Sequence, residues 1–102
     1  MGINVEYRDE SGASLSSVHD PRMILPRLLS RVDTADSVCL RFIDPYGDAV
    51  FNYLQAPVLV NELKKVACHC ETDEERRHIG RILHLAKRCA SDRHRYLSFE
   101  GD

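Results

Sequence analysis

The stretch from Val38 to Cys70 most constrains what this chain folds into. It runs VCLRFI, DPYGD, AVFNYL, Gln55-Ala56 and then PVLVNELKKVACHC. Two apolar runs of strand length joined by a turn, then apolar residues at helical spacing, predict a hairpin leading straight into a helix. Pro45 pre-sets the backbone for the second position of a type I turn. Gly47 is expected to close the turn with a positive φ, and Asp44 to accept neighbouring amide protons. In the predicted hairpin Val38, Leu40 and Phe42 share one face and Cys39, Arg41 and Ile43 the other. On the return strand Ala49, Phe51 and Tyr53 oppose Val50, Asn52 and Leu54. Neither face is cleanly polar, so the expectation is a sheet covered by helices on one side and partly open to a partner on the other.

The flanking segments read as elements that pack on this centre. Ile3, Val5 and Tyr7 alternate with Asn4, Glu6 and Arg8, the period of a strand with one buried face. From Asp9 to Val18 only Ala13 and Leu15 break a run rich in Ser, Gly and acids, which predicts a surface loop. Asp20 followed by Pro21 reads as a helix start, with Ile24, Leu25, Leu28, Leu29 and Val32 on one face. Pro26 lies inside that pattern, so the helix is kinked there or begins near it. Pro57 opens a second helix whose inner face is Leu59, Val60, Leu63, Val66, Ala67 and Cys70, stopping near Cys70. Thr72 and Glu75 make a capping box for a third helix, with Ile79, Ile82, Leu83, Ala86, Cys89 and Ala90 inward. Arg95 to Phe99 reads as a last strand. The order β-α-β-β-α-α-β predicts an α+β fold in one domain, 1–102, with a mainly antiparallel sheet of about four strands and helices on one face.

A chain of 102 residues buries roughly two-thirds of its unfolded surface and needs no staples. Its net charge of -2 gives no global pull toward nucleic acid or membrane. The four cysteines, Cys39, Cys68, Cys70 and Cys89, follow an N-terminus with neither a basic start nor an apolar core. That predicts reduced thiols in a cytoplasmic protein. No apolar run is long enough to cross a bilayer, so no membrane partner is expected.

Three groups of residues are candidates for function. Cys68-His69-Cys70 suggests zinc or redox chemistry, but residues two apart on a helix point about 200° apart, and no second paired motif follows at zinc-finger spacing. The expectation is no metal and no cofactor, with Cys39, Cys70 and Cys89 as packing residues and Cys68 as a surface thiol. The second group is the outer stripe of the third helix, Arg77, Arg81, His84 and Arg88. Asp73 is expected to pair with Arg77 and Asp92 with Arg88, leaving Arg81 without a carboxylate three or four residues away. From Arg76 to Arg95 there are seven Lys or Arg and one acid, Asp92, so charge is segregated locally. Such a stripe is either a solvated face or a docking surface for an acidic partner. Protein is favoured over nucleic acid because no aromatic residue interleaves the basic ones. The third group is a sheet face bearing Glu6, Cys39, Arg41, Asn52, Tyr96 and Ser98, suited to recognition or simply to solvent. Asp44 and Asp48 belong to the turn. No histidine sits in a motif with a defined second role, and no phosphate loop, dinucleotide fingerprint or nucleophile elbow is present.

The run LRFIDPYGDAVFN, the Gln-Ala-Pro after it and the closing YLSFEGD resemble short uncharacterised bacterial proteins over about half of the chain. The resemblance implies a bacterial cytoplasmic protein and carries no activity or ligand with it. The leading expectation is therefore a small non-enzymatic protein-binding module of the inhibitor, immunity or adaptor kind. Its partner-binding residues would be Arg77, Arg81, His84, Arg88, Arg41 and Asn52, and a second copy of the chain is a further candidate partner. One alternative is a nucleic-acid-associated regulator using the basic face of the helix 73–91. Another is a small metal-binding protein or enzyme using Cys and His residues.

Overall fold

A computed structural model of the chain describes residues 2–101. The elements are β1 (Ile3–Asp9), β2 (Ser14–Val18), α1 (Ile24–Leu29), a 3₁₀ turn (Leu40–Phe42), β3 (Asp48–Phe51), α2 (Ala56–Ala67), α3 (Asp73–Ala90) and β4 (Arg95–Gly101). Four antiparallel strands form one sheet in the order β2-β1-β4-β3. The fold is α+β, as the sequence predicts, but two of its elements differ from the expected ones.

The first difference is the segment 9–18, expected as a surface loop. Gly12 takes a φ of 87°, and the Asp9 carboxylate accepts from the amides of Ser11 (2.9 Å) and Ala13 (3.1 Å). That tight turn returns the chain along β1. Ser14 and Ser17 then donate their hydroxyls to Glu6 Oε1 at 2.5 and 2.7 Å. A serine-rich strand thus gains from its neighbour what its own side chains cannot bury.

The second difference is the predicted hairpin, which does not form. Val38–Ile43 is not a strand, because the Glu62 carboxylate of α2 accepts from the amides of Val38, Cys39 and Leu40 at 2.7, 2.9 and 3.1 Å. Those donors, taken together, wind the segment into a turn. Cys39, Leu40 and Ile43 are buried while Val38, Arg41 and Phe42 are exposed, a helical rather than alternating pattern. Burial would push the Glu62 carboxyl up, but the three amides outweigh it and hold it below its ordinary range. The return strand is correspondingly short and pairs with β4 instead, Phe51 opposite Leu97 and Ala49 opposite Phe99. The Asp44 turn does form, with Tyr46 N donating to Asp44 Oδ1 (2.9 Å) and Gly47 N to Asp44 O (3.3 Å). Gly47 is not in the left-handed region. Its carbonyl accepts from Gly101 N at 2.8 Å, and a Cβ on Gly101 would stand 2.4 Å from the Pro45 backbone.

α1 is shorter than its apolar pattern. It begins at Ile24, after Met23 in a left-handed conformation, so Pro26 falls in the first turn, where a missing N–H breaks no helical bond. Asp20 still serves the helix start, accepting from Ile24 N (2.6 Å) and Leu25 N (3.1 Å). It also accepts from Ile3 N (3.2 Å), which ties α1 to the end of β1. α2 ends at Ala67 rather than near Cys70. Thr72 caps α3 by accepting from Glu75 N at 3.1 Å.

The core lies between one face of the sheet and the helices. Ile3, Val5 and Tyr7 of β1, Leu97 and Phe99 of β4, Phe51 of β3 and Val18 of β2 are buried against Leu59, Leu63, Ile79, Ile82 and Leu85. Phe51 meets Phe99 edge-to-face at 5.7 Å, a geometry worth about 0.5–1.5 kcal/mol beyond burial. α3 runs against the sheet and α2 packs on α3. The opposite sheet face is polar: Arg8 Nη2 meets Glu100 Oε2 at 2.8 Å, and Ser98 donates to the same oxygen at 2.8 Å.

Candidate functional site

α3 carries charge on two sides, and the two sides differ in how they are satisfied. On the side toward α1, Glu75 is 1% exposed. It does not complete the capping box. Its carboxylate instead accepts from Glu71 N at 2.7 Å, from Arg31 Nη1 and Nη2 at 2.8 and 2.9 Å, and from Arg27 Nε at 3.1 Å. Those bonds, Arg31 foremost, pull its pKa down to about 2. Arg31 also reaches His69 O at 3.0 Å and Glu71 at 3.1 Å. This corner joins α1 to the start of α3 and leaves no bonding capacity of Glu75 open.

On the side toward β2 the arrangement is the reverse. Arg77, Arg81 and His84, at steps of four and three residues, stand along one side of a groove. Ser16, Ser17 and Val18 form its other side, and Gly80 and Leu85 complete its lining, around a volume of about 470 Å³. The groove continues past Val18 to His19, Pro21, Arg22, Ile24, Glu74 and His78, a second hollow of about 500 Å³ that shares Ser17, Val18, Arg77 and Arg81 with the first. Such volumes fall in the range of binding clefts. Glu74 is the acid of the groove, and Arg22 occupies it at 2.7 Å. Arg77, Arg81 and His84 are exposed and make no ion pair among the described residues. Asp73 pairs with Arg76 at 2.7 Å, not with Arg77.

His78 lies at the groove's far end and is 5% exposed. Among the described residues its Nε2 has no hydrogen-bond partner, and it stands 3.9 Å from Asp20 Oδ1. Burial is the main reason its pKa is lowered, with the Asp20 charge opposing and Arg81 adding to the shift. His78 reads in the sequence as one more polar residue beside the basic stripe. Its position four residues before Ile82 and seven before Leu85 is the signal that it faces inward.

The other predicted site residues are elsewhere. Arg88 does not pair with Asp92, which instead meets Arg95 at 3.7 Å. The Arg88 guanidinium lies over the Tyr7 ring at 4.6 Å, a cation–π contact away from the groove. Arg41 belongs to the 3₁₀ turn and stacks on Phe42. The Asn52 side chain closes the turn into α2, accepting from Leu54 N (3.0 Å) and Gln55 N (3.1 Å). Neither lies in a strand, and Cys39 is buried at the start of the same turn; of the expected sheet face Glu6, Tyr96 and Ser98 do share one side of the strands, joined there by Arg8 and Glu100. The sequence reading also missed how many apolar side chains of 38–58 are exposed: Val38, Phe42, Tyr46, Val50, Leu54 and Val58. The signal is the helical burial pattern of 38–43, which puts Val38 and Phe42 outward.

The four cysteines are free thiols. Burial pushes the Cys89 thiol up to about 11 and also raises Cys39 and Cys70, so these three stay protonated near neutral pH. Cys68 is exposed beyond the end of α2. Among the described residues no group of three His, Cys, Asp or Glu side chains is placed to hold a metal ion, and no helix is long and apolar enough to cross a membrane. In comparisons with known proteins, no family model, curated protein or solved structure matches this chain.

Proposed function

We propose that the protein is a small binding module that captures an acidic protein partner in the groove between β2 and α3. One observation carries the reading. Arg77, Arg81 and His84 line a single groove without counter-ions, while the neighbouring carboxylates Asp73 and Glu74 are each engaged by another arginine. Three groups on one helix face, left unpaired beside a concave wall, favour an anionic occupant over bare solvation. The residues lining the groove include no Phe, Tyr or Trp for base stacking, which favours protein over single-stranded nucleic acid.

The test is the double reversal R77E/R81E. Both side chains are exposed, so the melting midpoint should stay close to that of the parent protein, a change of about 0.5 kcal/mol or less per site. Acidic proteins retained from lysate by the parent at low salt should be lost by the variant. Loss of two favourable exposed pairs and their replacement by repulsion weakens binding about tenfold or more. Equal retention by both proteins, with unchanged melts, would remove the groove from the account. Duplex DNA binding that falls steeply with salt and disappears in the variant would transfer the groove to nucleic acid.

A further inference from the structure

We propose that the groove's occupant is an extended acidic segment of another protein, which joins the sheet as a fifth strand beside β2. The inference rests on the groove reading above and says how the partner is held.

β2 is an outer strand. One side pairs with β1, and among the described residues no backbone or side-chain group bonds to the main chain of Ser14–Val18 from the other side. A strand edge in that state is a template for another strand. Natural edges are usually blunted by charge, proline or cover, and SLSSV has neither charge nor proline. The sheet's other edge is guarded differently: β3 is four residues long, begins with exposed Asp48, and is preceded by the Asp44 turn that clamps Gly47 to Gly101.

The groove also sets the pattern of the incoming side chains. The two walls are ordered oppositely along it, since His19 and His78 line one end only and Ser16, His84 and Leu85 the other only, so β2 and α3 run in opposite directions. Alternate residues of an added strand face the helix at intervals of about 6.6–6.8 Å. Arg77 and Arg81 are separated by about 6 Å along the helix axis. Acidic residues at two alternate positions of the segment therefore match the two arginines. His84 lies about 4.5 Å further on, a poorer match for a third. An acidic peptide is the chemistry that satisfies both walls at once, with main-chain amides and carbonyls to β2 and side-chain carboxylates to α3. A polyphosphate backbone supplies only the second.

Random nine-residue peptides displayed on phage would be panned against the full chain, and the winners' affinities then compared between the parent and R77E/R81E. Should that variant melt early, R77Q/R81Q takes its place. The expected winners carry Asp or Glu at alternate positions. Two synthetic forms of a winner, N-methylated on its odd or its even residues, should behave differently. One loses at least tenfold in affinity and the other keeps it, because only alternate amides of an added strand face β2. Amide exchange at Ser14–Val18 should slow at least tenfold on binding. Acidic winners that bind equally well in both N-methylated forms would overturn strand addition and leave the groove reading standing. Winners without acidic alternation, or winners held equally by the reversed variant, would overturn both.

Discussion

The two charged flanks of α3 begin within one turn of each other and are built to opposite ends. At the α1 corner Glu75 is buried and takes bonds from two arginines and a main-chain amide. At the β2 groove Arg77, Arg81 and His84 stay outside and make no ion pair among the described residues, nor does buried His78 find a hydrogen bond for its Nε2 among them. A buried charge must be neutralised inside the chain or the fold loses stability, so the corner can only be structural. An exposed charge bears no such demand, so the groove is free to serve something outside. The comparison separates residues that hold the fold from residues available to a partner more clearly than burial alone does.

The sharpest way to break the comparison is at Asp20, which is fully buried and acts on the structural side although it borders the groove. Asp20→Ala would leave the amides of Ile3, Ile24 and Leu25 without their acceptor. Each buried donor left unmade costs roughly 1–3 kcal/mol, so a loss of at least about 3 kcal/mol is expected in denaturant unfolding. A loss under about 1 kcal/mol would mean that water replaces the carboxylate and that α1 is held mainly by Leu25 and Leu28.

Glu75 comes next, and its signature is a pH window. Its folded pKa, about 2, lies below the ordinary 4.5. The stabilisation it gives is therefore complete above about pH 4.5 and is lost as pH falls from 4.5 toward 2. Glu75→Gln keeps the side chain's shape and removes that proton uptake. Its stability should be lower than the parent's at pH 7, and the gap should close as the pH is lowered to 2. Parallel stability–pH curves for the two proteins would show that the arginines do not depend on the carboxylate's charge.

What was legible in the sequence follows the same division between local and distant causes. Thr72 and the period of Ile79, Ile82, Ala86 and Cys89 are local signals, and α3 forms where they say. The steps between Arg77, Arg81 and His84 were legible too, since helix geometry alone puts them on one face. The wall opposite them was not. β2 owes its strand to Glu6 and to pairing with β1, not to a pattern in SLSSV. The false hairpin has the same origin, because the carboxylate that winds 38–42 into a turn sits more than twenty residues away at Glu62. Leu85 and His78 follow from the same period, three residues after Ile82 and four before it, although neither was expected on the inner face.

The smallest expected effect is at His78, where the two flanks meet. Its pKa is lowered from 6.5 chiefly by burial; Asp20 and Glu74 oppose the shift and Arg81 assists it. The folded chain therefore resists the proton that the unfolded chain accepts, and stability should decline as pH falls below about 6.5, a window above that of Glu75. His78→Leu removes an idle buried nitrogen and keeps most of the volume. At pH 7 it should change stability by about 1 kcal/mol or less, and the decline starting near pH 6.5 should become shallower while the Glu75 limb remains. A loss well above that at pH 7 would show that His78 Nε2 is satisfied in solution, which would place it with Glu75 among the residues that hold the fold. The intact midpoint, combined with an unchanged affinity for acidic peptides, would confine recognition to the Arg77, Arg81 and His84 end of the groove.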